Sequence, residues 1–112
     1  MNIETRIIEY LNKRGFRAYA NVPAKRPKSF LTVERVGGGF DNYVIDRPVV
    51  AVQAWGEKRL DASELAYSIR DALLKMVNEP DIYKVSVNSI YNFPDADSGA
   101  ARYQLVADIV TM

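Results

Sequence analysis

An α+β fold, two helices packed on one face of a mainly antiparallel sheet of four to five strands, is predicted by three features of the sequence. Two segments repeat apolar residues at helical spacing. The segments between and after them alternate apolar and polar residues with the period of a half-buried strand. Their order along the chain, α-β-β-β-α-β-β, is met most economically by a sheet with both helices on one side.

The first helix is marked by Ile3, Ile7, Ile8 and Leu11, with Tyr10 at the edge of the stripe. Asn2 is placed to cap its first turn, and Glu4 suits the positive end of the helix dipole. Lys13 and Arg14 sit at the negative end, and Gly15 supplies a left-handed stop. Phe16 to Val22 alternates as a strand, and Pro23 to Lys28 (PAKRPK) reads as a loop. Ser29 to Val36 alternates again, and Gly37, Gly38 and Gly39 then break the pattern into a connection or hairpin tip. Tyr43 to Trp55 forms a long strand interrupted near Pro48, whose missing N–H implies a bulge, an edge or a strand start. Within it, Val49 to Trp55 is apolar on both faces except at Gln53 and is expected to be the most buried strand.

The second helix is expected to begin at Asp61, with Glu64 completing a capping box and Leu60 and Leu65 a hydrophobic staple. Leu65, Ala66, Ile69, Ala72, Leu73, Met76 and Val77 form its apolar stripe, and Asn78 to Asp81 ends it. Tyr83 to Phe93 and Ala101 to Met112 are the last two strands, joined by the loop Pro94 to Ala100. Val85, Val87 and Tyr91 are expected on one face of the first, and Tyr103, Leu105, Ala107 and Ile109 on one face of the second. No repeat or linker interrupts the 112 residues, so one domain over 1–112 is expected.

Composition narrows the function. Fifteen Lys and Arg against fourteen Asp and Glu leave a net charge of +1, with no global pull toward nucleic acid or anionic lipid. The chain has no cysteine and no histidine. Disulfides, thiolate metal sites and nucleophiles activated by histidine are therefore excluded. Carboxylate pairs, lysines and tyrosines remain available for catalysis, so a small carboxylate-dependent hydrolase stays as an alternative. The expectation is nonetheless a chain with no enzymatic activity, no cofactor and no metal. No apolar run approaches the roughly 20 residues of a membrane span, and the first ten residues carry Glu4, Arg6 and Glu9. A soluble intracellular protein is expected.

Each local motif has a plain reading. The triple glycine lacks a following Lys-Ser or helix N-terminus and is not a phosphate cradle. Asp95, Asp97 and Gly99 resemble the opening of a calcium loop, but its twelfth position is Val106, so a polar hairpin tip is the better account. Asp41, Asp46, Asp95 and Asp97 show no enforced pairing of the glycosidase kind. Lys25, Arg26 and Lys28 form a basic loop suited to solvent or to a partner. Arg47, Gln53, Trp55 and Arg102 draw more interest, because arginine and tryptophan are enriched among binding hot spots. Trp55 at a strand end serves equally well to close the core. The candidate interface residues are thus Lys25, Arg26, Lys28, Gly38, Asp41, Arg47, Gln53, Trp55, Asp95, Asp97 and Arg102.

Phe30–Gly39 (FLTVERVGGG), Asp46–Gly56 (DRPVVAVQAWG), Leu65–Leu73 (LAYSIRDAL) and Tyr91–Leu105 (YNFPDADSGAARYQL) together resemble the tail terminator, or tail completion, proteins of long non-contractile-tailed bacteriophages and related prophages. The similarity runs over nearly the whole chain and in the same order. It implies a subunit of a hexameric ring that caps the tail tube, stops its polymerisation and offers a head-joining surface. The implied partners are other copies of the chain, the tail tube protein and a head–tail connector protein, with no direct nucleic-acid recognition and no membrane. The implied locations are the bacterial host cytoplasm during assembly and the virion tail. A head–tail adaptor is the neighbouring alternative, and a non-phage dimeric α+β binding module the next.

Overall fold

The structure, a computed structural model, describes residues 1–40 and 44–112. Helix α1 (Ile3–Lys13) leads into a two-residue strand β1 (Ala18–Tyr19) and the long hairpin β2 (Phe30–Phe40) and β3 (Asp46–Gly56). Helix α2 (Arg59–Lys75) and a short 3₁₀ turn, Met76–Asn78, precede a second hairpin, β4 (Ile82–Asn92) and β5 (Ala101–Thr111). The strands form one five-stranded sheet in the order β1-β2-β3-β5-β4, antiparallel throughout except that β1 runs parallel to β2. Both helices lie on one face, α1 against β1 and β2, α2 across β3, β5 and β4. The predicted class and element order are those observed.

Asn2 caps α1 as its side chain predicts, accepting from the N–H groups of Glu4 and Thr5 at 3.0 and 3.3 Å. Gly15, at φ +93°, follows the helix in the left-handed region. The inward stripe Ile3, Ile7 and Leu11 packs on Leu31 and Val33 of β2. Tyr10 is buried too, and its hydroxyl donates to the Ala72 carbonyl at 2.7 Å, joining α1 to α2. Burial pushes the Tyr10 hydroxyl above the usual tyrosine pKa. Arg6 fastens the far end of α1, donating to Asp81 at 2.9 and 3.0 Å and to Glu79 at 2.8 Å.

β3 is the most buried strand, as its composition predicts: Val50 to Trp55 are all buried. Helix-side residues Val50, Val52 and Ala54 meet Leu105, Ala107 and Ile109 of β5 and the α2 residues Ala66, Ile69 and Leu73 in one core. Pro48 is tolerated because the β3–β5 ladder passes from Asp46–Thr111 to Val49–Asp108 without pairing it.

Several expectations are corrected. The strand expected over Phe16–Val22 contracts to Ala18–Tyr19, because only there does β2 offer a parallel partner. The glycines do not end β2. The strand runs through them to Phe40, with a bulge between Arg35 and Gly37, and Gly38 takes φ +85° opposite Pro48. A Cβ at Gly38 would collide with the Arg47 carbonyl oxygen and lie 2.9 Å from the Pro48 Cα. Helix α2 starts earlier than Asp61: Lys58 is the N-cap residue, and the Asp61 carboxylate accepts from its N–H at 3.3 Å. Glu64 therefore takes no part in a cap, and Leu60, 67% exposed, staples nothing. Val77 is also exposed and leaves the inward stripe to Ala62, Ala66, Ile69, Ala72, Leu73 and Met76. In β4 a register shift between Val87 and Ser89 inverts the alternation, so Ile90 joins Val85 and Val87 against the core and Tyr91 turns to the opposite face. Asp41 and Tyr43, expected at an interface and at the start of β3, lie outside the described residues.

Candidate functional site: the helix-free face of the sheet

With both helices on one side, the other side of β2, β3, β5 and β4 has no helical cover. The register sets Thr32 against Gln53, Gln53 against Gln104, and Gln104 against Tyr91, so four polar side chains stand in one row across four strands. They are hydrogen-bonded in sequence. The Thr32 hydroxyl donates to Gln53 Oε1 at 2.8 Å, and Gln53 Nε2 donates to Gln104 Oε1 at 2.7 Å. The Gln104 amide donates in turn to the Tyr91 hydroxyl. At the other end the Trp55 indole N–H donates to Thr32 Oγ1 at 3.0 Å. A buried amide needs partners on both its ends, and the row supplies them. Among the described residues no buried side-chain nitrogen or oxygen is without a partner.

One strand pair toward the C-terminal end of β3, the row gives way to aromatic and arginine side chains. Phe30 stacks on Trp55 with ring centroids 5.3 Å apart and planes 10° apart. The Arg26 and Arg102 guanidinium carbons lie 5.2 and 5.0 Å from the Trp55 ring centroid, within cation–π reach. Arg102 also lies 4.5 Å from the Phe93 ring, and Phe93 meets Tyr91 edge-on at 5.8 Å. The Arg102 side chain is held from two further directions. Its Nε donates to the Phe93 carbonyl at 2.8 Å, and Nη1 sits 3.9 Å from an Asp95 oxygen. The Asp95 carboxyl is held below the usual aspartate range, first by the Ser98 hydroxyl at 2.5 Å and less by Arg102.

Between this cluster and the residues after β1 runs a shallow groove of about 470 Å³. Its floor is Thr32, Gln53, Gln104 and Arg102, and its wall is Ala20–Val22. Phe93 and Val22 expose two-fifths of their surface there, at 41% and 38%, and Tyr91 beside Phe93 is 40% exposed. The face thus combines aromatic rings, fixed guanidinium groups and amides whose positions are set by their neighbours. Such a surface suits another protein, since its anchors are ordered before contact. Among the described residues no group of three Asp, Glu, His or Cys is gathered to hold a metal, and no helix is long and apolar enough to cross a membrane.

Of the expected interface residues, Arg26, Gln53, Trp55, Asp95 and Arg102 come together here. Lys28 lies beside them, sharing a smaller cavity with Arg26 and Trp55. Lys25 is exposed on the same loop, and Asp97 is exposed in the β4–β5 loop. Gly38 and Arg47 stand at the opposite end of the sheet, in the ladder between β2 and the start of β3. Thr32, Gln104, Tyr91, Phe93 and Phe30 were missing from the expected set. Their signal was present as polar or aromatic residues at alternate strand positions, but only the register shows that they adjoin.

Compared with known proteins, the chain matches no family model, and no curated protein sequence matches it.

Proposed function

We propose that this chain is a structural subunit of a phage tail, a terminator that caps the tail tube as a ring of identical copies, stops tube growth and presents the surface to which the head is joined. The observation that carries the reading is the helix-free face. Three of the four stretches that resemble tail terminators, Phe30–Gly39, Asp46–Gly56 and Tyr91–Leu105, supply β2, β3, the end of β4 and the first half of β5 to it. A surface with Trp55, Arg102, Phe93 and Tyr91 held in place supports a role in protein contact. On this reading the copies and the tube protein are the partners, and the host cytoplasm and then the virion tail are the locations.

The test is tube length. Purified chain added to polymerising tail tube protein should shorten the tubes and appear as density at one end in negative stain. Unchanged tube lengths together with a strict dimer at every concentration would refute the terminator role in favour of a dimeric binding module.

A further inference from the structure

Three glycines follow one another in β2, and the fold of a single copy explains only part of the run. Gly38 needs its positive φ and the space beside the Arg47 carbonyl. Gly39 has no such need: its φ lies outside the left-handed region, and a Cβ there would meet no described atom within 4 Å. Gly37 is similar, its nearest atom being the Val49 Cβ at 4.0 Å. Glycine weakens a strand, and its usual reasons are a bulge or the close approach of another backbone. The bulge precedes Gly37. For Gly39, approach from outside the chain is the reason that remains.

The same stretch lies on an uncovered sheet edge. β1 covers β2 only at Leu31 and Thr32. Farther along, the Glu4 carboxylate accepts the Arg35 N–H at 2.8 Å, and Arg35 Nε donates to the Gly37 carbonyl at 3.0 Å. From Gly38 to Phe40 no described strand pairs with this edge, and Phe40 is 73% exposed. Its ring lies on the Arg35 guanidinium, 5.1 Å from the centroid, on the face that carries the helices.

The opposite edge is β4, eleven residues long and paired only to β5. Beside it α2 and the 3₁₀ turn that follows carry a second apolar stripe, Tyr67, Leu74 and Val77, exposed while the inner stripe is buried. Tyr67, Arg70 and Leu74 line a groove of about 440 Å³ with Val87 to Ile90 of β4. Long exposed edges and exposed apolar stripes both mark contact surfaces.

We infer that these two edges meet between copies of the chain: Gly38–Phe40 of one copy lies along β4 of the next, and Phe40 enters the groove beneath Tyr67 and Leu74. Strand direction fits. β2 and β5 run one way, β3 and β4 the other. A copy added edge-on with this sense kept therefore sets β2 antiparallel to β4, as in every other pair of long strands; the register holds Phe40 level with Ile82, so each added copy is shifted along β4 to bring Phe40 to Val87–Ile90 and turned relative to the last. The two patches are unlike, so the contact propagates from copy to copy and closes as a ring where the rotation between copies returns to the first, whereas a self-complementary patch would stop at a dimer. The inference rests on the ring proposed above and names its contact surface.

Gly39→Val and Leu74→Asp test it, by light scattering over a concentration series. Both positions are exposed in the single copy, and Gly39 has room for a side chain. Both variants should keep the wild-type circular dichroism, with Gly39→Val melting no lower than wild type. Each alone should self-associate about 30-fold more weakly or worse, the effect of losing a hot-spot contact. A one-to-one mixture should recover heterodimers and nothing larger, because each variant retains the one edge that the other lacks. Rings that persist in both folded variants, or a wild-type chain that never associates, would overturn the contact. Tube shortening is read separately. Shortened tubes with rings intact in both variants keep the terminator role and discard this contact. Heterodimer recovery without any shortening keeps the contact and discards the role.

Discussion

Gln53→Ala probes the row of hydrogen bonds that organises the helix-free face. Gln53 is 8% exposed and spends its carbonyl on Thr32 and its amide nitrogen on Gln104. Truncation strips the Thr32 hydroxyl of its acceptor, and Thr32 is itself buried at 7% exposure. An orphaned buried group of this kind costs about 1–3 kcal/mol. Gln104 is less buried and can turn to water, so its loss adds little. The expected total is about 2 kcal/mol, which shifts a urea midpoint down by roughly 1–2 M at the usual slope for a small protein. Trp55 is the only tryptophan and donates to Thr32 Oγ1, so its fluorescence follows both unfolding and the state of the row. A stability unchanged within about 0.5 kcal/mol for Gln53→Ala would refute the reasoning.

Three further outcomes are expected. Gly38→Ala forces a side chain into φ +85° and against the Arg47 carbonyl, and should cost about 2 kcal/mol or more in chemical denaturation, whereas Gly39→Ala should change little. Leu73→Ala empties a fully buried site where α2 meets the sheet and should cost about 2–5 kcal/mol by the same assay. Arg6→Ala removes the bonds to Asp81 and Glu79, and its effect should depend on pH. The Asp81 carboxyl is held below its usual range mainly by the Arg6 hydrogen bond, so the stabilisation is present above about pH 4, where the unfolded carboxyl is ionised. It is lost as pH falls through the lower folded-state value. The gap between variant and wild type in chemical denaturation should therefore be full at pH 7 and narrow steadily as pH falls below about 4.

The parts of the fold that were legible are those that neighbours in sequence dictate. Asn2 caps α1 because its side chain reaches N–H groups two and three residues on, and Val49–Trp55 is central because its composition leaves no face to put in water. The misreadings share a cause. The glycines after Val36 break the local pattern, yet β2 passes through them because β3 continues to pair with it. Tyr91 alternates with Val85 and Val87 on paper, and a single bulge turns it to the other face. Asp61 and Glu64 have the spacing of a capping box, but Lys58 takes the cap because the helix begins three residues earlier.

The site divides in the same way. Residue type alone was enough to single out Gln53, Trp55 and Arg102, since an amide, an indole and a guanidinium in otherwise apolar strands call for partners. Composition also removed histidine- and cysteine-based chemistry before any fold was known. That Gln53 faces Thr32 on one side and Gln104 on the other, and that Arg26 and Arg102 converge on one indole, was decided by the register of strands 21 and 51 residues apart in sequence. Local propensity acts over a few residues and carries no information about such a register. It is set when α2 lays its buried stripe across β3, β5 and β4 and leaves the opposite face open.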